Sequence, residues 1–530
     1  MTRRTGATMK ASSIASDRRW LSVAAIAVGV AAALGGCAVG PAFERPKPPH
    51  EDRYTAQTLQ SEHATASAGR QRLLAGKALD GEWWRLFRSD ALDALVQRAL
   101  AGNHSLVAAE ATLAQMQELA AAQAGSLEPQ VGLTAAAGRQ KYGAQFLGNE
   151  PKPPAFKYFA VGPTVSYVLD YTGGVARSVE QRHALAEYQR QQAGAAYLAV
   201  SGNAVMQALR IASLRAQIAA VEAILAQDHE NLKLVQLAFA AGSVSRLDIV
   251  SAESQLANDA TQLPALREQL GIARHALAVA LGEPPATAKL PELDLAQITL
   301  PVELPIGVPS ELAHRRPDIL AAEAQLHAAT AAVGVANANL YPHITLTAST
   351  GQQATDFAHL FERASNVWSL AAGLAAPLLD GGTLRAEQRA AVDAMRASAA
   401  SYEQTVLAAF GQVADTLEAL DHDAEALEAQ SRAQSAAASN LDLTRASYRE
   451  GNVGVLQVLD AQRLYQQARL GYVKAEAQRY LDTAQLLLSL GGNAPSAEDN
   501  ARSREPAERS GLRSAGDAGT RASQPVTFRN

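Results

Sequence analysis

Cysteine is almost absent from this chain, which has one cysteine in 530 residues. A single cysteine excludes a disulfide framework, a CxxC redox centre and a zinc site built from cysteines. Aromatic residues make up only 5% of the sequence and charged residues 19%. The formal net charge is -5, and this near balance argues against nucleic-acid binding, because neutralising phosphates requires a concentrated cationic surface.

Motifs for enzyme chemistry are also missing from the sequence. It contains no P-loop, no GxSxG and no HExxH motif, and its eleven histidines are scattered. We therefore predict no enzyme activity, no cofactor and no metal site, and we interpret Asp421-His422-Asp423 as a solvated helix face. What the chain has instead is 48% hydrophobic residues with abundant alanine. That composition is typical of long helices whose backbones approach closely.

Residues 1–36 have the features of a secretory signal peptide, with a basic start and an apolar run over Trp20–Leu34. The run is too short to span a bilayer as a helix. The sequence Leu34-Gly35-Gly36-Cys37 resembles the bacterial lipobox, which implies that Cys37 becomes the first mature residue and carries acyl chains. Ala38 stands where an aspartate favours inner-membrane retention, so we expect the outer membrane. An uncleaved anchor with a core cysteine is the alternative.

The rest of the chain divides by composition and by internal repetition. Residues 37–78 are polar and rich in proline, as expected for a lipidated N-terminal arm. The tail 494–530 lacks apolar periodicity, and we predict that it is disordered. Between them we predict two copies of one unit, residues 79–290 and 310–493, joined by a linker over residues 291–309.

The repeat rests on matches at a nearly constant offset. Asn103–Leu113 matches Arg316–Leu326 at an offset of 213 residues. Leu281-Gly282 matches Leu490-Gly491 at an offset of 209 residues. Matches among alanines alone would not reproduce glycines and Leu-Gly pairs at this spacing, so a duplicated unit is the economical explanation.

Each predicted copy contains a helix followed by two strands. Apolar residues alternate with small polar ones around Val131–Ala135 and Phe159–Tyr171 in the first copy, and around Ile344–Ala348 and Trp368–Leu378 in the second. Strands of about ten residues are long enough to cross a bilayer when tilted. A soluble, half-buried hairpin explains the alternation equally well and is the alternative.

A long helical hairpin completes each copy. Val175–Ala241 is free of proline and, as one helix of 67 residues, would be about 100 Å long. Leu384–Arg449 has nearly the same length. Glycine-containing turns then lead into return helices of roughly 40 residues, the first of which we expect Pro264 to kink.

Four membrane strands per chain cannot close into a barrel, because the smallest single-chain barrels have eight strands and an open edge is not tolerated in lipid. The chain must therefore share a barrel with other copies. The predicted fold class is mainly α with membrane β. Three copies would supply the strands of a trimeric 12-stranded β-barrel, four strands per chain, and the long helices would continue from it as an α-helical barrel.

Several short segments together resemble the TolC-like outer membrane efflux proteins, in the lipoprotein branch that contains OprM and the NodT-type factors. These segments are Cys37–Pro41 with Arg45-Pro46, Glu82–Phe87, Arg315–Ile319 with Ala322-Glu323, Tyr341-Pro342, Tyr448–Gly451 and Leu459–Arg463. The resemblance implies a homotrimer in the outer-membrane lipid that partners a periplasmic membrane-fusion adaptor and an inner-membrane pump, commonly of the resistance-nodulation-division (RND) class. It also implies a passive exit duct for drugs or other small molecules.

The resemblance and the helix spacing point to one periplasmic gate. Leu456, Asp460 and Arg463 fall at i, i+4 and i+7 just beyond the second turn, on one face of a helix. Family members narrow their entrance at matching positions, and threefold symmetry would make a ring of three Asp460 side chains. An ordinary exposed i,i+3 ion pair is the alternative. In the first copy, Arg246 and Asp248 could form a second gate ring.

Two other functions are compatible with parts of the sequence. A type I secretion exit duct would have the same fold with another pump, and the neighbouring genes would distinguish the two. A coiled-coil structural lipoprotein would have no conducting pore. The sequence does not identify the substrate, because a wide tunnel lined by small polar residues selects little.

We expect Cys37→Ser to abolish both acylation and cleavage by the lipoprotein-specific peptidase, because the thiol is the acceptor of the lipid. Metabolic labelling with a radioactive fatty acid measures this directly. Equal incorporation into the wild-type and Cys37→Ser chains would contradict the lipobox interpretation.

Overall fold

The computed structural model describes residues 39–47, 53–55, 62–63, 71–77, 79, 81–141 and 154–491. The predicted signal peptide, the lipidation site Cys37 and the predicted C-terminal tail lie outside these residues. The chain forms two compact units. The sheet unit takes its residues from Met1–Arg45, Gln115–Ala186 and Ala324–Ala400, and the core unit takes them from Pro46–Ala114, Glu187–Glu323 and Ser401–Asn530. Each unit therefore draws on both sequence repeats.

The strands are short in one sheet and long in the other. They are β1 (Glu62–His63), β2 (Gln71–Ala75), β3 (Gln130–Gln140), β4 (Phe156–Leu169), β5 (Glu303–Ile306), β6 (His343–Ala354) and β7 (Asn366–Ala375). The helices are α1 (Asp90–Gly102), α2 (His104–Ala124), α3 (Gly174–Ala240), α4 (Arg246–Ala260), α5 (Gln262–Ala280), α6 (Pro309–Leu312), α7 (Pro317–Ala338), α8 (Thr383–Arg449) and α9 (Val455–Ser489). Short 3₁₀ helices cover Trp83–Phe87, Gly125–Leu127, Leu295–Gln297, Phe357–His359 and Arg363–Ser365.

The two long helices confirm the sequence prediction to within one residue at each end, and α3 and α8 each contain 67 residues. The first return helix differs from the prediction. It is interrupted at Thr261, between α4 and α5, instead of being kinked at Pro264. Proline clashes with the carbonyl four residues before it, which here belongs to Ala260. The chain therefore ends α4 at that residue, and Pro264 falls in the first turn of α5.

The sheet unit contains a four-stranded antiparallel sheet in the order β3-β4-β6-β7. Cross-strand neighbours form rows that alternate between its two faces. One row is apolar: Val131, Val165, Ala348 and Leu370. The adjacent row, on the other face, carries small polar residues: Gly132, Thr164, Ser349 and Ser369. Among the described residues, β3 and β7 each have one neighbouring strand, so each has one free edge.

The N-terminal arm docks within the sheet unit by a close backbone contact. Gly40 has a φ of 111°, and a Cβ on it would lie 2.6 Å from Cα of Gly334 in α7. Only glycine combines this conformation with this approach. Three residues later Phe43 stacks on the His327 ring at 4.3 Å, and His327 Nε2 lies 2.9 Å from a carboxylate oxygen of Glu180. A backbone contact and a side-chain contact therefore both hold the arm against α7.

Helix α7 is, among the described residues, the one helix long and apolar enough to cross a membrane by length and composition. Half of its most apolar stretch is buried within the protein, as is typical of a core helix. Its buried residues include Ala321, Ala324, Ala328 and Ala331, spaced three or four apart. Such an alanine face allows neighbouring backbones to approach closely, as the composition predicted.

The core unit is organised around aromatic and aliphatic side chains that are removed from water. Trp83, Trp84 and Phe87 of the first 3₁₀ helix are fully buried. They belong to one cluster with residues of α1, α3, α8 and α9. Strand β2 pairs antiparallel with β1 and parallel with β5. Burial of this apolar surface is the main stabilising term of the unit.

Both Leu-Gly pairs of the repeat close a return helix in the same way. Gly282 has a φ of 73°, and a Cβ on it would lie 2.1 Å from the carbonyl oxygen of Gly102. Gly491 has a φ of 60°, and its Cβ would lie 2.8 Å from Cγ of Arg316. A left-handed glycine just past a helix end is a common C-terminal cap. The repeated glycines therefore mark where each return helix meets the start of its own repeat.

Arg316 fixes that junction in the second repeat. Its guanidinium donates to both carboxylate oxygens of Asp318, at 3.0 and 2.7 Å. It also donates to the Ser489 carbonyl and to Oε1 of Gln412, each at 2.8 Å. The side chain is nearly buried. One planar group thus joins the start of α7 to the end of α9 and to α8.

We expect Arg316→Ala to lower the free energy of unfolding by roughly 1–3 kcal/mol, because it leaves the buried Ser489 carbonyl without this donor and removes the bonds to Asp318 and Gln412. Thermal unfolding of the detergent-purified protein measures the effect. Arg315→Ala is the matched control, since Arg315 is the adjacent arginine and makes none of these contacts. Equal destabilisation by both substitutions would contradict the role assigned to Arg316.

Candidate functional site

The ends of the two helical hairpins are built alike. A left-handed glycine follows each long helix, with a φ of 73° at Gly242 and 78° at Gly451. In the second hairpin the Asn452 N–H donates to the Ser447 carbonyl at 2.9 Å, which closes the last turn of α8. The glycines allow the chain to reverse within a few residues. They set where each return helix begins.

A groove of about 820 Å³ lies between these two hairpin ends. Its wall includes Leu237 of α3, Tyr448 of α8 and Leu456 of α9. Leu237 is 68% exposed and Leu456 45% exposed in the single chain. The groove therefore has a lining of mixed polarity in which these leucine side chains remain exposed in the single chain.

The three predicted gate residues lie on the first turns of α9. Arg463 Nη2 donates to Oδ1 of Asp460 at 2.6 Å, an i,i+3 ion pair on a largely exposed surface. Arg463 also reaches Oε1 of Gln467 at 3.5 Å. Leu456 lines the groove, whereas Asp460 and Arg463 lie further along the helix. The single chain thus contains the pair and the stripe, and the ring stays a prediction.

The predicted second ring has a local role in the structure. Asp248 Oδ2 accepts a hydrogen bond from the Ser245 backbone N–H at 2.7 Å and from the Ser245 hydroxyl at 2.9 Å. This is the capping arrangement expected at the start of α4. Asp248 also lines the groove, and Arg246 beside it is exposed. Their role as a gate ring is untested.

Asp423 does not lie on a solvated face, which corrects the sequence interpretation. The residue is half-buried and its carboxyl is hydrogen-bonded to Asp482 of α9; burial raises the pKa of Asp423 to about 8, and the Asp482 carboxyl adds to the shift. Only His422 faces solvent, 3.3 Å from Glu418. The sequence contained one signal of this burial: Asp423 lies three residues after Leu420, beside the buried apolar stripe of α8.

A second acid pair, which sequence reasoning missed entirely, joins the first hairpin. Asp228 of α3 faces Asp259 of α4, and burial together with that neighbouring carboxyl raises the pKa of Asp228 to about 6. The Gln255 amide donates to Asp259 at 2.7 Å. Each hairpin therefore contains one pair of aspartates between its outgoing and its return helix. No sequence signal identifies these partners, because their meeting depends on the helix register.

Among the described residues, no group of three or more histidine, cysteine, aspartate or glutamate side chains could hold a metal ion. The site therefore consists of helix ends, ion pairs and acid pairs along the two hairpins. Such an arrangement can restrict or widen a passage between helices.

Comparison with known proteins identifies the chain's relatives. The sequence profile described as outer membrane efflux protein matches residues 95–283 and 308–492. The chain belongs to this family. Each of the two matched stretches covers two long strands and one helical hairpin.

Similar proteins span most of the chain. The pyoverdine export outer membrane protein OpmQ of Pseudomonas aeruginosa is 33% identical over 420 residues, covering 78% of this chain and 87% of that protein. The outer membrane protein OprJ of the same species is 30% identical over 473 residues, covering 87% and 94%. The structure of the outer-membrane channel OprN superposes with a TM-score of 0.77 at 29% identity, covering 86% of this chain and 99% of that chain.

These comparisons confirm the predicted family, fold class and location. The protein is an outer-membrane efflux channel with the TolC-like fold, mostly helical with a membrane sheet, and its helical part extends into the periplasm. The relatives are channel and efflux proteins rather than enzymes.

Proposed function

We propose that three copies of this chain close a 12-stranded barrel in the outer membrane and form a passive exit duct. Small molecules delivered by an inner-membrane pump, of RND type, pass through a periplasmic adaptor into the duct and leave the cell. The observation that carries the proposal is the four-stranded sheet with two free edges and two exposed faces.

The faces of the sheet support a wall between lipid and water. Trp368 and Leu370 of β7 are 77% and 76% exposed, and Leu133 of β3 is 76% exposed. A soluble hairpin would bury such residues on one face. The other face carries small polar residues, including Ser349 and Ser369, whose hydroxyls lie 2.8 Å apart. An apolar outside and a polar lumen are characteristic of membrane barrels.

The free edges support assembly from several copies. Main-chain N–H and C=O groups at an edge strand cannot remain unpaired in hydrocarbon. In this chain β3 and β7 are at opposite sides of the sheet. Pairing β7 of one copy with β3 of the next satisfies both edges and continues around the barrel until it closes.

The docked arm supports the lipid anchor at Cys37. The Val39 N–H donates to the Thr172 carbonyl at 2.9 Å. Thr172 follows β4 by three residues, so the arm reaches the sheet at one end of its strands. Acyl chains on a residue two positions before Val39 would then enter the membrane beside the barrel wall.

The periplasmic partners are supported by the groove between the hairpin ends. Its exposed leucines, set among polar groups such as Asp248, offer a docking surface of mixed polarity for the adaptor. The cargo class follows from the relatives, one of which is named for pyoverdine export. A lumen lined by small polar side chains does not choose among small molecules, so the pump sets the specificity.

The gate proposal concerns the stripe Leu456, Asp460 and Arg463. In a trimer these residues occur three times around one axis, and three carboxylates at close range repel one another and attract cations. The Asp460–Arg463 pair at 2.6 Å supplies the compensating charge. Its position near the start of α9 supports a constriction at the periplasmic entrance, with Arg246 and Asp248 as a possible second ring.

We expect the detergent-extracted protein to be a trimer by light scattering, because four strands cannot close alone. In a Cys37→Ser chain, Thr134→Cys combined with single cysteines scanned over Asn366–Ala375 should give oxidised dimers and trimers at one register. Chains with only one of the two edge cysteines are the controls. A stable, monodisperse monomer would rule out the shared barrel.

We expect Asp460→Ala to raise single-channel conductance in planar bilayers and to weaken cation preference, because the charged constriction is lost. The effect should shrink at high salt, which screens partly exposed charges over about 8–10 Å at physiological strength. Asp393→Ala is the matched control, since Asp393 forms the same exposed i,i+3 pair with Arg396 at 3.0 Å.

Unchanged conductance and selectivity in Asp460→Ala, with the trimer intact, would move the constriction to Arg246 and Asp248. A wild-type protein that does not conduct at all would favour the structural lipoprotein instead. A co-encoded type I secretion pump, in place of an RND pump, would favour the secretion duct.

A further inference from the structure

Arg479 of α9 is the most anomalous charged group in the described part of the chain. Its side chain is only 1% exposed, and none of its Nε, Nη1 and Nη2 atoms has a hydrogen-bond partner there. A guanidinium stays charged in proteins and presents five N–H donors, so burying it without an acceptor is strongly unfavourable. The electrostatic influence of Asp423 acts on this group from α8.

The Asp423 carboxyl, which acts on Arg479, has a different hydrogen-bond partner. Asp423 is hydrogen-bonded to Asp482, another carboxyl group. Its Oδ2 atom is buried and receives no hydrogen bond from any donor among the described residues. Two carboxylates only accept, so a proton held between them is what joins them. The buried acid is thus satisfied by a proton while the buried base beside it is unsatisfied.

Both partners of Asp423 lie on the same helix, three residues apart. Arg479 and Asp482 are i and i+3 on α9, which places them on one face with an axial separation of about 4.5 Å. Asp423 faces them from α8. An axial movement of α9 against α8 of the order of that separation would exchange one partner for the other.

We propose that Asp423 is a proton-operated selector between these two partners. In the arrangement described here it shares a proton with Asp482; after losing that proton it pairs with Arg479, and α9 shifts against α8. The exchange releases one proton and satisfies the buried guanidinium. No bond other than the O–H bond is broken.

Among the described residues, the charged groups that interact with Asp423 are Asp482 and Arg479. Both belong to α9. On α8 the adjacent His422 is turned to solvent, between Glu418 and Glu425.

Other titratable groups nearby have their own partners. Glu476, one turn from Arg479, is bonded to the Tyr472 hydroxyl, and Asp482 also accepts from the Gln478 amide at 2.8 Å. Asp421 lies two residues before Asp423 on α8 and also has an interaction of its own. No other charge is identified as acting on Asp423 within the described residues.

The direction of the pH effect follows from the raised pKa of Asp423, about 8. In this arrangement the acid holds its proton where an ordinary aspartic acid would have lost it. Its contribution to the shared-proton arrangement is complete below the usual aspartate pKa, near 4, and is lost as pH rises to about 8. Raising the pH therefore favours the arrangement paired with Arg479.

The first hairpin provides an internal comparison. Its acid pair, Asp228 and Asp259, has the same position between an outgoing and a return helix, but no arginine acts on Asp228. Loss of its proton offers no alternative partner on the return helix. The selector is thus specific to the second hairpin, whose return helix also carries Leu456, Asp460 and Arg463.

Two spin labels measure the shift directly in the full-length, detergent-purified protein. In the Cys37→Ser chain, labels at Ala426→Cys on α8 and Lys474→Cys on α9 report the distance between the helices. Mixing with an excess of unlabelled chains isolates distances within one copy. We expect two distance populations whose ratio shifts towards the second by up to tenfold per pH unit as pH rises from about 4 to about 8, and levels off above that, as for a single proton.

Two isosteric variants should lock opposite arrangements. Asp423→Asn mimics the protonated acid and cannot pair with a cation, so it should keep the first distance from pH 6 to pH 9. Asp482→Leu keeps the approximate shape of the side chain but can neither share a proton with Asp423 nor donate to it, so the second distance should dominate even at pH 6. Asp228→Asn is the control and should leave the wild-type pH profile unchanged.

The selector is refuted if the wild-type distance is independent of pH and Asp482→Leu does not change it. The distances do not depend on the gate, although an effect on the entrance rests on the function proposed above. A distance that switches while conductance stays constant with pH would keep the selector and remove its link to Asp460. A constant distance would refute the selector whatever the conductance does.

Discussion

The unpaired main-chain groups along β3 and β7 are the constraint on which the rest of the architecture depends. Each unsatisfied N–H or C=O group costs several kcal/mol in hydrocarbon, far more than side-chain contacts could offset. The sheet has four strands because each repeat supplies two, and β4 pairs with β6 across the repeat boundary. Neither repeat therefore completes the sheet without the other, and the proposed barrel pairs the free edges of one copy with those of the next.

The two repeats use different contacts to pack the end of the return helix against the start of the same repeat. In both, a left-handed glycine lets the end of the return helix touch the start of the same repeat. The first repeat makes this contact between backbones, at Gly282 and Gly102. The second adds the Arg316 guanidinium, which ties three helices together. The same divergence appears in the hairpins, where only the second acid pair has acquired an arginine.

Sequence reasoning succeeded where one local rule controls the outcome. Helix ends at Gly242 and Gly451 could be predicted because glycine alone accepts the turn, and strands could be predicted from their period of two. It failed at Asp423, whose partner lies 59 residues away on another helix, because register between helices is set by packing. The break in the first return helix was predicted at Pro264 and lies at Thr261, because proline clashes with the carbonyl of the residue four positions before it. The proposed gate residues were selected from the sequence and stay a prediction, because the ring that they would form depends on other copies.

The contact of Gly40 with Gly334 joins segments that are made far apart in time. The arm is synthesised early, and its seat on α7 is synthesised roughly 300 residues later. Contacts of such long sequence separation form late in folding, because a large loop must close first. The arm therefore cannot dock until the helices of the second repeat have been made. Docking of the arm then marks a chain whose second repeat has folded.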